Sequence, residues 1–271
     1  MTADLASDQQ FIVIILAVNF VVWQWLRLPD NHQKFSSIYL IARSWWWLLV
    51  ILFSGYLWSQ WQNAAGSYPY RWLLDGLFVL MGAQGGIEMF RVSRNRLAKK
   101  HTLFTVILTV LFFTLILSLI LLNHLTLYHH QHGVILFVLF ASQFNDIAQY
   151  LCGKALGQRL FKRKLAPTIS PNKTIEGAVF GSLLSSLLAA LLGLWLTPFG
   201  ALVCFGVAYV LAVTGICGDL LVSAFKRRHQ VKDMGALLPG HGGILDRVDS
   251  LLIGVPLFTL IYWQAYPSVF S

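Results

Sequence analysis

Charge is what this sequence has least of. Only 11% of its 271 residues are Asp, Glu, Lys or Arg, against about 25% in a soluble globular domain. With 57% hydrophobic residues and a mean hydropathy of +0.66, that scarcity excludes an ordinary soluble enzyme and implies several membrane spans. Cysteine is nearly absent. Cys152, Cys204 and Cys217 lie in or beside apolar runs without metal-type spacing, which excludes a disulfide framework and a zinc site. They read as small packing residues. The first ten residues carry Asp4 and Asp8 but no Lys or Arg. A signal peptide starts basic, so the first apolar run reads as a retained span. No internal repeat and no soluble domain is visible.

What the chain has instead is apolar length. A span needs about 20 mostly apolar residues to cross about 30 Å of hydrocarbon. Eight candidates meet this, near residues 11–26, 45–61, 72–90, 102–122, 133–151, 178–196, 199–225 and 251–266. Splitting or merging Gly-rich segments gives a range of seven to nine. The expected fold is an all-α, polytopic integral membrane protein forming one transmembrane domain, 1–271. Its four-helix N-terminal half is 1–122, and its C-terminal half is 133–271.

Charge placement orients these spans. The net charge is +9. With both termini outside, the segments between spans 1–2, 3–4, 5–6 and 7–8 face the cytoplasm. All but Arg71 of the 20 Lys and Arg residues fall there, as the positive-inside rule requires. Membrane lipids rather than nucleic acid are the expected partners of this basic excess, and Lys162, Arg163 and Lys164 read as headgroup contacts. The segment 123–132 has four histidines and neither Lys nor Arg, which suits a solvated outer loop. Trp45, Trp46 and Trp47 at one span edge, and Trp58 and Trp61 at the other, read as interfacial anchors.

Residues 223–249, SAFKRRHQVKDMGALLPGHGGILDRVD, are too rich in chemistry to be a mere connector. Asp219, Ser223, Lys226 and Arg227 are spaced to share one helix face. Asp246 and Asp249 share another. Gly240, His241, Gly242 and Gly243 form a turn that can fold the two carboxylate groups together, and backbone amides in such a turn can hold phosphate oxygens. Hard oxygen donors suit Mg²⁺, which keeps waters and bridges carboxylates to substrate phosphates. The competing explanation, that the acids only neutralise Lys226, Arg227 and Arg247, explains any one pair better than it explains the whole segment. An earlier loop places Ser170, Lys173 and Thr174 just before a helix. It is either an anion site at a helix N-terminus or ordinary capping grammar. Asp146 and Gln149 on span 5 are either functional or helix–helix glue.

These residues resemble a known family. Ser223-x-x-Lys226-Arg227, Lys232-Asp233, Leu238-Pro239-Gly240-His241-Gly242-Gly243 and Asp246-Arg247-Val248-Asp249 are similar to the signature of phosphatidate cytidylyltransferases, the CDP-diacylglycerol synthases. The stretch from Ser170 to Gly177 resembles the family's second motif, and Asp146, Tyr150 and Gly153 a weaker third. The likeness covers roughly the C-terminal half. One position departs: the family often places a glutamate before the serine, where this chain has Val222. That leaves one carboxylate fewer and keeps metal number and substrate open.

The resemblance implies the reaction of CTP with phosphatidate to give CDP-diacylglycerol and pyrophosphate at the cytoplasmic side of a bacterial inner membrane. It implies Mg²⁺, one ion or two, on Asp219, Asp246 and Asp249. Catalytic roles would fall to Asp219, Lys226, Arg227, His241, Asp246, Arg247 and Asp249. Ser170, Lys173, Thr174, Ser223, Gly240, Gly242, Gly243 and Asp146 would bind substrate. A homodimer is left open. The rivals are a cytidylyltransferase for another lipid phosphate, a CTP-dependent polyprenol kinase, a transporter, and a divergent member without activity.

Overall fold

A computed structural model of the chain describes residues 6–29, 35–94, 102–235 and 242–266. His241 and Gly240 of the Gly-rich turn therefore lie outside the described residues. The long helices are α1 (Ser7–Arg27), α2 (Ser36–Ser59), α3 (Trp72–Ser93), α4 (Thr102–Tyr128), α5 (Gly133–Leu156), α6 (Ile175–Leu196) and α7 (Ala201–Arg228). All seven are long and apolar enough to cross a membrane. A short helix α8 (Leu245–Val248) runs into a 3₁₀ turn (Asp249–Leu251) and then, after a 45° bend, into α9 (Gly254–Ala265). Counted as one broken span, this pair is the eighth. The protein is a polytopic, all-α membrane protein, and its last span is broken rather than continuous.

Local chemistry accounts for the break. Pro256 lies in the first turn of α9, where its missing N–H costs nothing. A helix running straight through would put its ring against the carbonyl of Leu252. The chain bends at residues 252–253 and leaves Asp246 and Asp249 on a short segment of their own.

The C-terminal half is the tighter one. Along α5, every residue from Val134 to Val138 is buried. Helices α5 and α6 pack closely, and α7 lies against α6 and the 3₁₀ turn. Asn145, fully buried, joins the three long helices: its Nδ2 donates to the Ala212 carbonyl at 3.1 Å, and its Oδ1 accepts from Ser182 at 3.3 Å and Ser185 at 3.1 Å. Such bonds hold helices together where lipid supplies no hydrophobic drive between them. The N-terminal helices pack in sequence, α1 on α2, α2 on α3 and α3 on α4. Contacts tie the halves at several places, among them Phe11 against Phe140 edge-on at 4.9 Å, and α4 against α9.

One element departs from the helical expectation. Residues 164–174 form an antiparallel hairpin, β1 (Lys164–Ala166) with β2 (Ser170–Thr174). Pro167 sits at the second position of a turn closed by the Ile169 amide on the Ala166 carbonyl at 3.2 Å, the place where its fixed φ is an advantage. The Lys164 ammonium bonds the Pro171 carbonyl at 2.7 Å, so it braces the hairpin. Lys162 and Arg163 remain exposed.

At the other end of the molecule, α4 continues to Tyr128, so His124 is on a helix and not in the loop. It pairs with the buried Asp75 at 2.8 Å, and His130 meets the Tyr68 hydroxyl at 2.9 Å. Trp47, Trp58 and Trp61 are exposed as anchors should be, whereas Trp46 packs on Trp23.

Candidate active site

The candidate site is assembled where α5, α6 and α7 end beside the broken span. Small residues allow the approach. At Gly218 a Cβ would stand 2.2 Å from the Asp249 carbonyl oxygen, so only glycine lets α7 come this near the 3₁₀ turn. Asp219, the next residue, is thereby brought beside Asp249. The charges of Asp219 and Asp146 both act on Asp249. Three carboxylates from three elements thus share one neighbourhood.

The hairpin supplies the cations and hydroxyls. Thr174 caps α6, its Oγ1 accepting from the Gly177 amide at 3.0 Å. Cap and strand coexist: Ser170 to Thr174 is extended, and the helix begins immediately after. Glu176, fully buried, accepts the Leu160 and Phe161 amides at 3.1 and 2.8 Å and pins the approach to the hairpin. Lys173 then reaches across to form an ion pair with Asp219. Ser223, one turn along α7, donates to Asp219 at 3.1 Å. Asp146, Ser170, Lys173, Thr174 and Asp219, with Gln149, Tyr150, Gly153 and Lys154, line an open cleft of about 440 Å³. The Gln149 side-chain N–H group is buried there without a partner among the described residues. A buried donor of this kind costs about 1–3 kcal/mol until an acceptor arrives.

Asp246 is held differently. Its Oδ1 takes the Lys226 ammonium at 2.7 Å, and its Oδ2 takes the Met234 amide at 2.8 Å and the Gly243 amide at 2.9 Å. It joins the Met234 and Gly243 amides and holds Lys226 in a pair with side chains only 14% and 7% exposed. The helix face read from α7 divides in two. Lys226 turns to Asp246, while Arg227 leaves it and bonds the Ile169 carbonyl of the hairpin at 3.2 Å. Arg247 lies within electrostatic reach of Asp249, Asp246 and Asp146. Gly242 adopts φ +78°, the left-handed conformation expected of a turn glycine.

One functional residue escaped sequence reasoning. Glu88 of α3, 1% exposed, accepts the Ile244 amide at 3.0 Å and the Leu245 amide at 3.2 Å. It caps the helix carrying Asp246 from the opposite half of the molecule. A Cβ at Gly243 would stand 2.3 Å from its Oε2, so glycine is required for the carboxylate to lie under the turn. Val222 is fully buried in the apolar core, and the carboxylate that reaches the turn comes from α3. The signal was there: an acid inside a span is functional by default.

A metal fits this donor set in one particular way. Among the described residues, no three His, Cys, Asp or Glu side chains form a ready metal cage. Mg²⁺ does not need one, because it keeps several waters and uses one or two carboxylates plus substrate phosphates. Asp219, Asp249 and Asp146, close to one another beside an open cleft, match that requirement. Asp219, held by Ser223 and Lys173, and Asp246, held by Lys226 and two amides, each have both oxygens engaged, so either must release a partner to take the ion.

The chain is similar to proteins of one family. The chain is 31% identical to the uncharacterized protein YnbB of Escherichia coli K12 over 92% of its own length and 94% of that protein's. It is 32% identical to the phosphatidate cytidylyltransferase of Pseudomonas aeruginosa, over 92% of this chain and 85% of the other. To the phosphatidate cytidylyltransferase of Staphylococcus aureus it is 44% identical over 133 residues, 48% of this chain and 49% of that one. The family model for cytidylyltransferases matches residues 6–265, from the first helix to the end of the broken span. The chain belongs to the cytidylyltransferase family and is a membrane-embedded nucleotidyltransferase.

Proposed function

We propose that the protein transfers the cytidylyl group of CTP to phosphatidate, forming CDP-diacylglycerol and releasing pyrophosphate. The observation that carries this reading is the cleft itself. It opens at one end of the bundle and is bordered by acids, by Lys154 and Lys173, and by the Gln149 donor, which has no partner among the described residues. One relative named phosphatidate cytidylyltransferase aligns over 92% of the chain.

The chemistry asks little of a base. The attacking oxygen belongs to a phosphate monoester that is already anionic at neutral pH. It forms a bond to the α-phosphorus of CTP as the bond from that phosphorus to the β-phosphate oxygen breaks, and pyrophosphate departs with its electron pair. Positioning two polyanions and stabilising the leaving group are the main barriers. Lys173 and Lys226, each now held by an aspartate, offer their ammonium groups to phosphate oxygens, and Arg247 offers a forked donor. Gln149 and Ser170 orient oxygens in the cleft. Asp219 and Asp249 are the candidate Mg²⁺ ligands, with Asp146 beside them and Asp246 joining only if it releases Lys226; the ion would screen the phosphates and stabilise pyrophosphate. The site would face the cytoplasm, where CTP is available, with the acyl chains remaining in lipid.

The test is turnover by purified protein in detergent with labelled CTP, Mg²⁺ and a panel of lipid phosphates. CDP-diacylglycerol and pyrophosphate should appear together and disappear with EDTA. Formation of CDP instead of pyrophosphate would make the protein a kinase, and no CDP-lipid from any acceptor would end the proposal.

A further inference from the structure

Beside the polar cleft the molecule holds a second, apolar cavity of about 190 Å³. Its walls include Leu52 of α2, Met81 of α3 and Leu139 of α5, so it lies between the N-terminal helices and the catalytic half. Like the cleft, it is partly open to the outside. It is lined almost wholly by hydrocarbon, yet the charged Arg247 borders it, together with Gln143. A guanidinium at the edge of an apolar chamber matches an amphiphile with an anionic head.

The two cavities are neighbours along α5. Gln143 and Asp146 are three residues apart on α5 and so share a face. The first lines the apolar cavity and the second the polar cleft. Arg247 spans the same boundary, since it borders the apolar cavity while Asp146, Asp246 and Asp249 act on its charge.

We propose that this cavity receives one hydrocarbon tail of the lipid phosphate acceptor, with the phosphate held at Arg247 and directed into the cleft. The inference rests on the reaction proposed above and adds the place of the tail. The surrounding bilayer is as apolar as the cavity, so burying the tail there yields little net drive. The cavity selects by shape. The N-terminal half thereby becomes the part that reads chain length and branching, while the C-terminal half performs the transfer.

Two variants that fill the cavity, Leu52→Trp and Met81→Trp, test this in detergent with dihexanoyl and dipalmitoyl phosphatidate. Each should lower kcat/KM for the long-chain acceptor at least tenfold, leave the short-chain acceptor within twofold, and leave KM for CTP unchanged. Equal losses on both acceptors, or no loss on either, would overturn the proposal. A second measurement needs neither a variant nor turnover. A phosphatidate carrying a diazirine at the end of one chain should, on irradiation with wild-type protein, label peptides containing residues 45–52, 78–81 or 139–143. Excess phosphatidate should compete and a neutral diacylglycerol should not. Labelling confined to the lipid-facing surface would overturn the tail site even if cytidylyl transfer were observed. Labelling without any transfer would leave the site standing and remove the proposed reaction.

Discussion

Glu88 and Asp246 do the same work from opposite ends of one segment. Asp246 clasps the Met234 and Gly243 amides, and Glu88 clasps the next two, Ile244 and Leu245. A carboxylate can accept from both amides at once, whereas a carboxamide presents one oxygen and one N–H group. Glu88→Gln should therefore leave a buried amide unpaired at a cost of about 1–3 kcal/mol. We expect kcat to fall at least tenfold, KM for CTP to change little, and the melting temperature in detergent to drop. Glu88→Asp, which keeps the charge, should recover part of kcat; equal loss in both variants would argue against a positioning role. Asp246→Asn should abolish turnover, and it should also destabilise, because Lys226 loses its buried partner. Breaking such a pair costs about 3–5 kcal/mol. Thermal melting and a CDP-lipid assay read the two effects separately, and near-wild-type turnover would remove Asp246 from the mechanism.

Elements rather than single residues set the position of the cleft. The hairpin, the start of α6 and the end of α7 are tied by the Thr174 cap, the Lys173–Asp219 pair and the Arg227 bond to the Ile169 carbonyl. Removing the cap in Thr174→Ala should cost about 1 kcal/mol and lower activity more than stability, since Thr174 also lines the cleft. The close approach of α7 to the 3₁₀ turn is a stricter constraint. In Gly218→Ala the new methyl would meet the Asp249 carbonyl, and the turn must shift. Activity should fall at least tenfold while the protein still inserts in membranes, as monitored by fractionation; full activity would show that the two elements can separate without loss. The hairpin was not foreseen because Ser170 to Thr174 carries no alternation of apolar and polar residues, the pattern from which a strand is recognised.

Across the whole molecule, Lys and Arg gather in and beside the odd-numbered helix connections, Arg71 being the exception, and the fourth connection carries His129, His130 and His132 with no Lys or Arg. In a variant lacking the native cysteines, Arg163→Cys should react with an impermeant thiol reagent only after cells are opened. Ala64→Cys should react in intact cells. The reverse pattern would put the cleft on the wrong side for CTP. Asn145 is the internal counterpart of this outer order: one amide bonds α6 and α7 to α5.

Spans, basic loops and the dense segment near residue 240 are properties of neighbouring residues, so composition and spacing were enough to locate them. The family resemblance grouped Ser170, Lys173, Thr174, Asp146 and Asp219 as candidates where their local pattern left two readings, and they line one cleft. The pairing of each charge was decided elsewhere. Which lysine meets which aspartate, whether Arg227 faces a phosphate or a carbonyl, and that Glu88 supports a helix 156 residues away all depend on how close two helices can pass. Small residues such as Gly218 and Gly243 permit those approaches, but only the packed tertiary structure specifies what stands on the other side.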